Sequence, residues 1–120
     1  MPYIKSGDGR REALQKGEPA LNAGELNYQI FYYVKHNCYP PNFKTVSAEI
    51  KIREFVEKFL GKNPNYQKYN DMTGVLIRCQ REINRRSGYY MTILTEIMDS
   101  YDEEIAKYEN LKCRENGDVE

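Results

Sequence analysis

Arg78, Arg81 and Arg85 stand at i, i+3 and i+7, a spacing that brings three guanidiniums onto one side of an α-helix. A guanidinium is planar and always charged. It grips a phosphate or carboxylate through two parallel hydrogen bonds, where a lysine offers only a point charge. Asn70 and Gly74 extend the same stripe toward the N-terminus. The amide adds a neutral donor and acceptor, and the glycine lets a ligand or a second backbone come close. Arg86 follows directly and lies four residues after Glu82, the spacing of an ordinary surface ion pair. Eleven tyrosines and no tryptophan supply rings on which bases can stack. The chemistry these residues suit is anion binding, although the same stripe also fits a solvated helix face.

Reaction chemistry has less to stand on. His36 is the only histidine, near a helix end with Cys38 two residues away, and no further ligands stand at metal-site spacing. A histidine at a helix C-terminus is well placed by the helix dipole alone. No phosphate-binding glycine loop, dinucleotide fingerprint or nucleophile elbow occurs. Asp99, Asp102, Glu103 and Glu104 lack the glycine and terminal glutamate of a calcium loop. The expectation is a non-enzymatic protein with no catalytic residues, no metal ligands and no cofactor.

Composition narrows the binding classes. With 120 residues the chain fits one domain, and a formal net charge of zero disfavours a generally basic nucleic-acid binder. Charge is nevertheless segregated. Residues 62–88 carry six basic against two acidic side chains, whereas 96–120 carry nine acidic against three basic. The two regions are expected to neutralise one another within the fold or between subunits. Cys38, Cys79 and Cys113 are widely spaced and odd in number, which suits reduced thiols, and Cys79 falls on an apolar stripe as a small buried hydrophobe. No apolar run approaches the length of a membrane span, and no secretory leader is legible, so a cytoplasmic protein without membrane contact is expected.

Helices must position the stripe. Tyr69, Met72, Leu76, Cys79 and Ile83 recur at three and four residues and predict a helix from Tyr66 to Arg86. Before it, a short helix is predicted from Arg10 to Lys16, stopped by Gly17 and Pro19. A firmer one runs from Gly24 to Asn37, with Asn22 as N-cap, Glu25 at capping-box spacing, and Leu26, Ile30, Tyr33 and Val34 inward. Pro40-Pro41 ends it, and a third helix runs from Val46 or Ser47 to Leu60, with Gly61 as its stop. Ser87-Gly88 is the ambiguous junction. A continuous helix over 66–110 would be about 67 Å long, too long for a monomer of this size to bury, and would require oligomerisation. A break at Gly88, favoured by the cost of an interior glycine, gives a helical hairpin instead. The fold class is all-α: a small bundle of four to five helices in a single domain, with 1–9 and 114–120 as irregular or turn-like termini. Met1-Pro2-Tyr3-Ile4 reads as a short extended segment, and Asn116-Gly117 as a tight turn.

Four blocks occur in order along the chain: Met1-Pro2-Tyr3-Ile4; Gly24-Glu25-Leu26-Asn27-Tyr28; Tyr66, Asn70, Gly74-Val75-Leu76, Glu82 and Arg85-Arg86; and Tyr108-Glu109, Lys112 and Glu115-Asn116-Gly117-Asp118-Val119. Together they resemble a family of small proteins met in bacteriophage and prokaryotic genomes. The chain departs from that pattern by about twenty extra residues, Ser87 to Lys107, and by ending in Glu120 where the family has an aromatic. The resemblance implies a phage-type accessory protein of small helical fold, acting in the host cytoplasm, and implies no reaction.

Several positions in these blocks are polar, which admits two readings. Glu25, Asn27, Asn70, Glu82, Arg85, Arg86 and the Glu115–Asp118 tail form one buried polar network, or they surround a pocket for an anionic small molecule. In the second reading the ligand-binding set is Asn27, Tyr28, Asn70, Gly74, Arg78, Arg81, Arg85 and Arg86. Small phage proteins that sequester nucleotide immune signals as helical oligomers make counter-defence the leading expectation, with a nucleotide-like ligand and a homo-oligomer. The alternatives are a nucleic-acid-binding factor using the Arg78, Arg81 and Arg85 face, and a protein-binding inhibitor or assembly factor using the tyrosine-rich surface.

Overall fold

Five helices account for the residues that the structure, a computed structural model, describes: 9–37, 45–88 and 91–116. They are α1 (Arg10–Gln15), α2 (Ala23–Asn37), α3 (Thr45–Leu60), α4 (Tyr66–Ser87) and α5 (Thr92–Asn116). α4 packs against α2, α3 and α5, while α1 touches only α2. α2 and α5 do not meet and occupy opposite corners of the bundle. Because α4 faces three neighbours, its buried arc is wider than a simple stripe. Val75 and Gln80 are buried beside Tyr69, Met72, Leu76, Cys79 and Ile83.

Local chemistry sets the ends. Asn22 Oδ1 accepts from the Glu25 N–H at 2.9 Å, as the capping-box spacing predicts. The Glu25 carboxylate, however, reaches the Leu21 N–H rather than that of Asn22, and also takes Arg10 at 2.6 and 2.8 Å. This clamp ties α1 to the start of α2. Gln29, buried in α2, donates from Nε2 to the carbonyls of Leu14 and Glu18 and so satisfies the end of α1. Asn65 caps α4 by accepting from the Lys68 N–H. Gly61 and Gly88, at φ +73° and +74°, turn the chain out of α3 and α4 in the left-handed conformation that favours glycine.

Gly88 settles the junction. α4 stops there, and α5 folds back so that Tyr108 lies against Tyr66 and Tyr69 at the other end of α4. The antiparallel hairpin buries Leu94, Ile97 and Tyr101, and the length argument for oligomerisation falls away. The tail is a correction: 114–116 continue α5 instead of forming an irregular terminus. The extended segment at Met1–Ile4, the Pro40-Pro41 stop and the turn at Gly117 lie outside the described residues. Among the described residues, no helix is long and apolar enough to cross a membrane.

Candidate functional site

On a helix that turns 100° per residue, Asn70, Gly74, Arg78, Arg81 and Arg85 span an arc opposite the buried face. All five are exposed. Their side chains therefore fall toward either flank, and the stripe divides. Asn70, Gly74 and Arg78 line a cleft of about 380 Å³ between α4 and the start of α2, together with Asn27, Asp71 and Gly24. Arg81 lines a different hollow, between α4 and α5, beside Ile77, Leu94 and Met98.

Within the α2–α4 cleft the groups have distinct roles. Arg78 is exposed and has no ion pair or hydrogen bond among the described residues. Ala23 and Gly24 are the first two residues of α2, whose N–H groups precede the first intrahelical donor, so the positive pole of a 15-residue helix opens on the same cleft. Gly74 leaves open space where a Cβ would sit. Asn27 is buried and accepts a hydrogen bond on Oδ1 from the Cys79 thiol at 3.4 Å, which leaves its amide N–H₂ available at the cleft floor. Burial first, and the Glu82 charge second, push the Cys79 thiol up to about 12, so it stays an inert packing group. Asp71 accepts from Gln67 at 2.8 Å and keeps further acceptor capacity.

The remaining expected site residues are placed elsewhere. Arg85 and Arg86 both bind the Glu82 carboxylate, and Arg86 also lies over the Phe31 ring with its guanidinium 5.0 Å from the centroid. Tyr28 receives a hydrogen bond from Gln15, stacks on Tyr32 and carries the Arg11 guanidinium at 5.6 Å. Tyr28, Arg81, Arg85 and Arg86 are thus not members of the cleft. The single buried polar network is also corrected. Glu25 belongs to Arg10, Asn27 to Cys79, Asn70 is exposed, and Glu82 holds its own pair of arginines.

For the expected neutralisation between α4 and α5, no ion pair joins the two helices among the described residues. His36 lies exposed in the last turn of α2, its ring 4.2 Å from that of Tyr32. Among the described residues, no group of three or more His, Cys, Asp or Glu side chains is placed to hold a metal ion. Sequence reasoning missed Ala23, Gly24 and Asp71. Asp71 adjoins Asn70 and could have been found, whereas the approach of the α2 N-terminus is a tertiary fact.

Two of the ion-paired carboxylates, Glu25 and Glu82, give the fold a defined pH response. Hydrogen bonds from Arg10 hold Glu25 below the usual carboxylate range against the opposing effect of burial, and those from Arg85 and Arg86 do the same for Glu82. A depressed folded-state pKa contributes stability that is present above the unfolded value of about 4.3 and is lost as pH falls through the folded value. The urea midpoint should therefore stay level from neutral pH down to about 5 and fall below about 4. Glu25→Gln should flatten part of that fall.

No protein-family model, curated protein or solved structure matches this chain, and the functional reading rests on the geometry.

Proposed function

We propose that the α2–α4 cleft binds a small nucleotide-like anion without transforming it, so that the protein acts by sequestration. The observation that carries this reading is Arg78, an unpaired guanidinium on the same cleft as the N-terminus of α2. A guanidinium and a helix N-terminus are two independent sources of affinity for a phosphate. Asp71 lies seven residues, about 10 Å along the helix axis, before Arg78. A carboxylate at that distance suits sugar hydroxyls while the arginine holds the phosphate, which favours a nucleotide over inorganic phosphate. Asn27 and Asn70 add neutral donors and acceptors for a base or sugar edge.

A continuous nucleic-acid track is less well supported. Arg85 and Arg86 are neutralised on Glu82, and Arg78 and Arg81 lean to different flanks of α4. In the phage setting that the sequence blocks suggest, holding a nucleotide signal would serve counter-defence. Self-association belongs to this proposal as well, with α4 and α5 offering unpaired charge of opposite sign to a second copy.

The test is a thermal-shift screen against linear and cyclic nucleotides at low and moderate salt. One nucleotide class should raise the melting temperature by several degrees. Arg78→Ala should abolish the shift, and Arg85→Ala should leave it. Arg78→Lys should recover only part, because the bidentate fork is lost. No shift with any nucleotide would overturn the reading.

A further inference from the structure

On the flank of α4 away from α2, the end of α3, the first turns of α4 and the middle of α5 enclose a second cleft of about 310 Å³. Glu57 and Glu104 line it, and neither carboxylate has an ion-pair or hydrogen-bond partner among the described residues. Tyr69 and Tyr101 line it too. Each is only 8% exposed, and neither phenolic hydroxyl makes a hydrogen bond among the described residues. The carboxylates act on the phenols: after burial, Glu104 is the next cause raising the Tyr69 pKa, and Glu57 and Glu104 are the next for Tyr101. α3 ends at the same corner, with Leu60 and Gly61 in the lining, and brings the negative pole of a 16-residue helix to the site.

Two unpaired carboxylates and two phenols that make no hydrogen bond among the described residues outnumber the positive charge here, even though Lys68 donates to the Phe59 carbonyl at the end of α3. Lys62, exposed in the lining, is the one cation in it among the described residues. An ammonium carries three donors and needs three acceptors, which two carboxylates and a phenolic oxygen can provide. Aromatic rings also attract a cation and cover an apolar stem. A hard divalent metal wants six or more oxygens, and no group of three metal-ligating side chains occurs among the described residues.

We propose that this cleft binds a small organic cation of the diamine or polyamine class, its primary ammonium between Glu57 and Glu104 and its stem across the Tyr69 and Tyr101 rings. The site is separate from the Arg78 cleft and opposite to it in sign, so one chain takes an anion and a cation on two flanks of one helix.

Titration calorimetry of the full chain with 1,4-diaminobutane, in dilute and in moderate sodium chloride, tests the proposal, with circular dichroism to confirm that each variant folds. Glu57→Gln and Glu104→Gln should each weaken binding about tenfold, in keeping with loss of a charge-assisted contact. Glu103→Gln, on the exposed acidic face of α5, should leave it unchanged. Tyr69→Phe combined with Tyr101→Phe should weaken it while the rings remain, and the Gly61 amide resonance should shift on titration. Equal weakening by Glu103→Gln would reduce the effect to general attraction by the acidic helix and overturn the proposal. Absence of binding, or equal competition by magnesium ions, would overturn it as well.

Discussion

Leu76→Ala should lower the free energy of unfolding by about 2–5 kcal/mol, among the larger single-residue losses expected in this fold. Leu76 is fully buried on α4, the helix that packs against α2, α3 and α5. Its removal leaves a void on a helix held against three others, so no one helix can move to fill it without losing contacts elsewhere. A domain of this size has only about 5–15 kcal/mol of stability in all, so the loss takes a large share of it. Urea denaturation followed by circular dichroism would show a lower midpoint at an unchanged slope. A loss below about 1 kcal/mol would mean that α5 closes onto α4 and that the hairpin seam is looser than its burial indicates.

The second large effect has the opposite sign. Gln80→Leu should raise stability by about 1–3 kcal/mol, because both polar atoms of the Gln80 amide are buried without a hydrogen-bond partner. The side chain is 8% exposed and lies at the α4–α5 seam beside Leu76, Leu94 and Met98. A leucine there keeps a similar volume and removes two desolvated groups. Gln29 also has a buried unpaired oxygen, but its Nε2 closes the end of α1 and an apolar replacement would forfeit that. A higher urea midpoint for Gln80→Leu is the expected result. A lower one would show that the amide is paired in solution, with water or with a second copy of the chain.

Gln80 also shows where sequence reasoning reaches its edge. The three-four spacing from Tyr69 to Ile83 located α4, its register and its apolar face, all of which the fold retains. It left out Val75 and Gln80 because a pattern read on one helix assumes one packing partner, and α4 has three. The end of α4 was legible for a local reason: at Gly88 only glycine takes a positive φ without strain, and the chain uses it. The cap at Asn65 is equally local, an Asn immediately before the periodic run.

The candidate site was half legible for the same kind of reason. Asn70, Gly74 and Arg78 recur every four residues and stay together on the flank beside α2. Arg81 breaks that step and crosses to the α5 flank, while Arg85 and Arg86 are claimed by Glu82, a neighbour on their own helix. Asn27 joined the cleft from another helix. Its inclusion came from the sequence block it shares with Tyr28, a residue the fold sends to a different cluster. The diamine cleft left no such trace. Glu57, Tyr69, Tyr101 and Glu104 come from three helices, and only the α4–α5 hairpin brings the last two back against the first.

The long α5 carries a graded stability along its own axis. Among its described side chains the buried ones run from Ile93 to Tyr101, and Ile105 and Tyr108 beyond them are half-buried. Ile105 and Tyr108 hold the following turns more lightly, Ile105 against the core and Tyr108 through the Tyr66 and Tyr69 rings. Lighter burial lowers the cost of local opening. Amide protons around Ile105 and Tyr108 are then released by local opening, while those from Ile93 to Tyr101 exchange only when the hairpin itself opens. One continuous helix is in this sense two cooperative units, and Glu104 of the diamine cleft stands at the boundary between them.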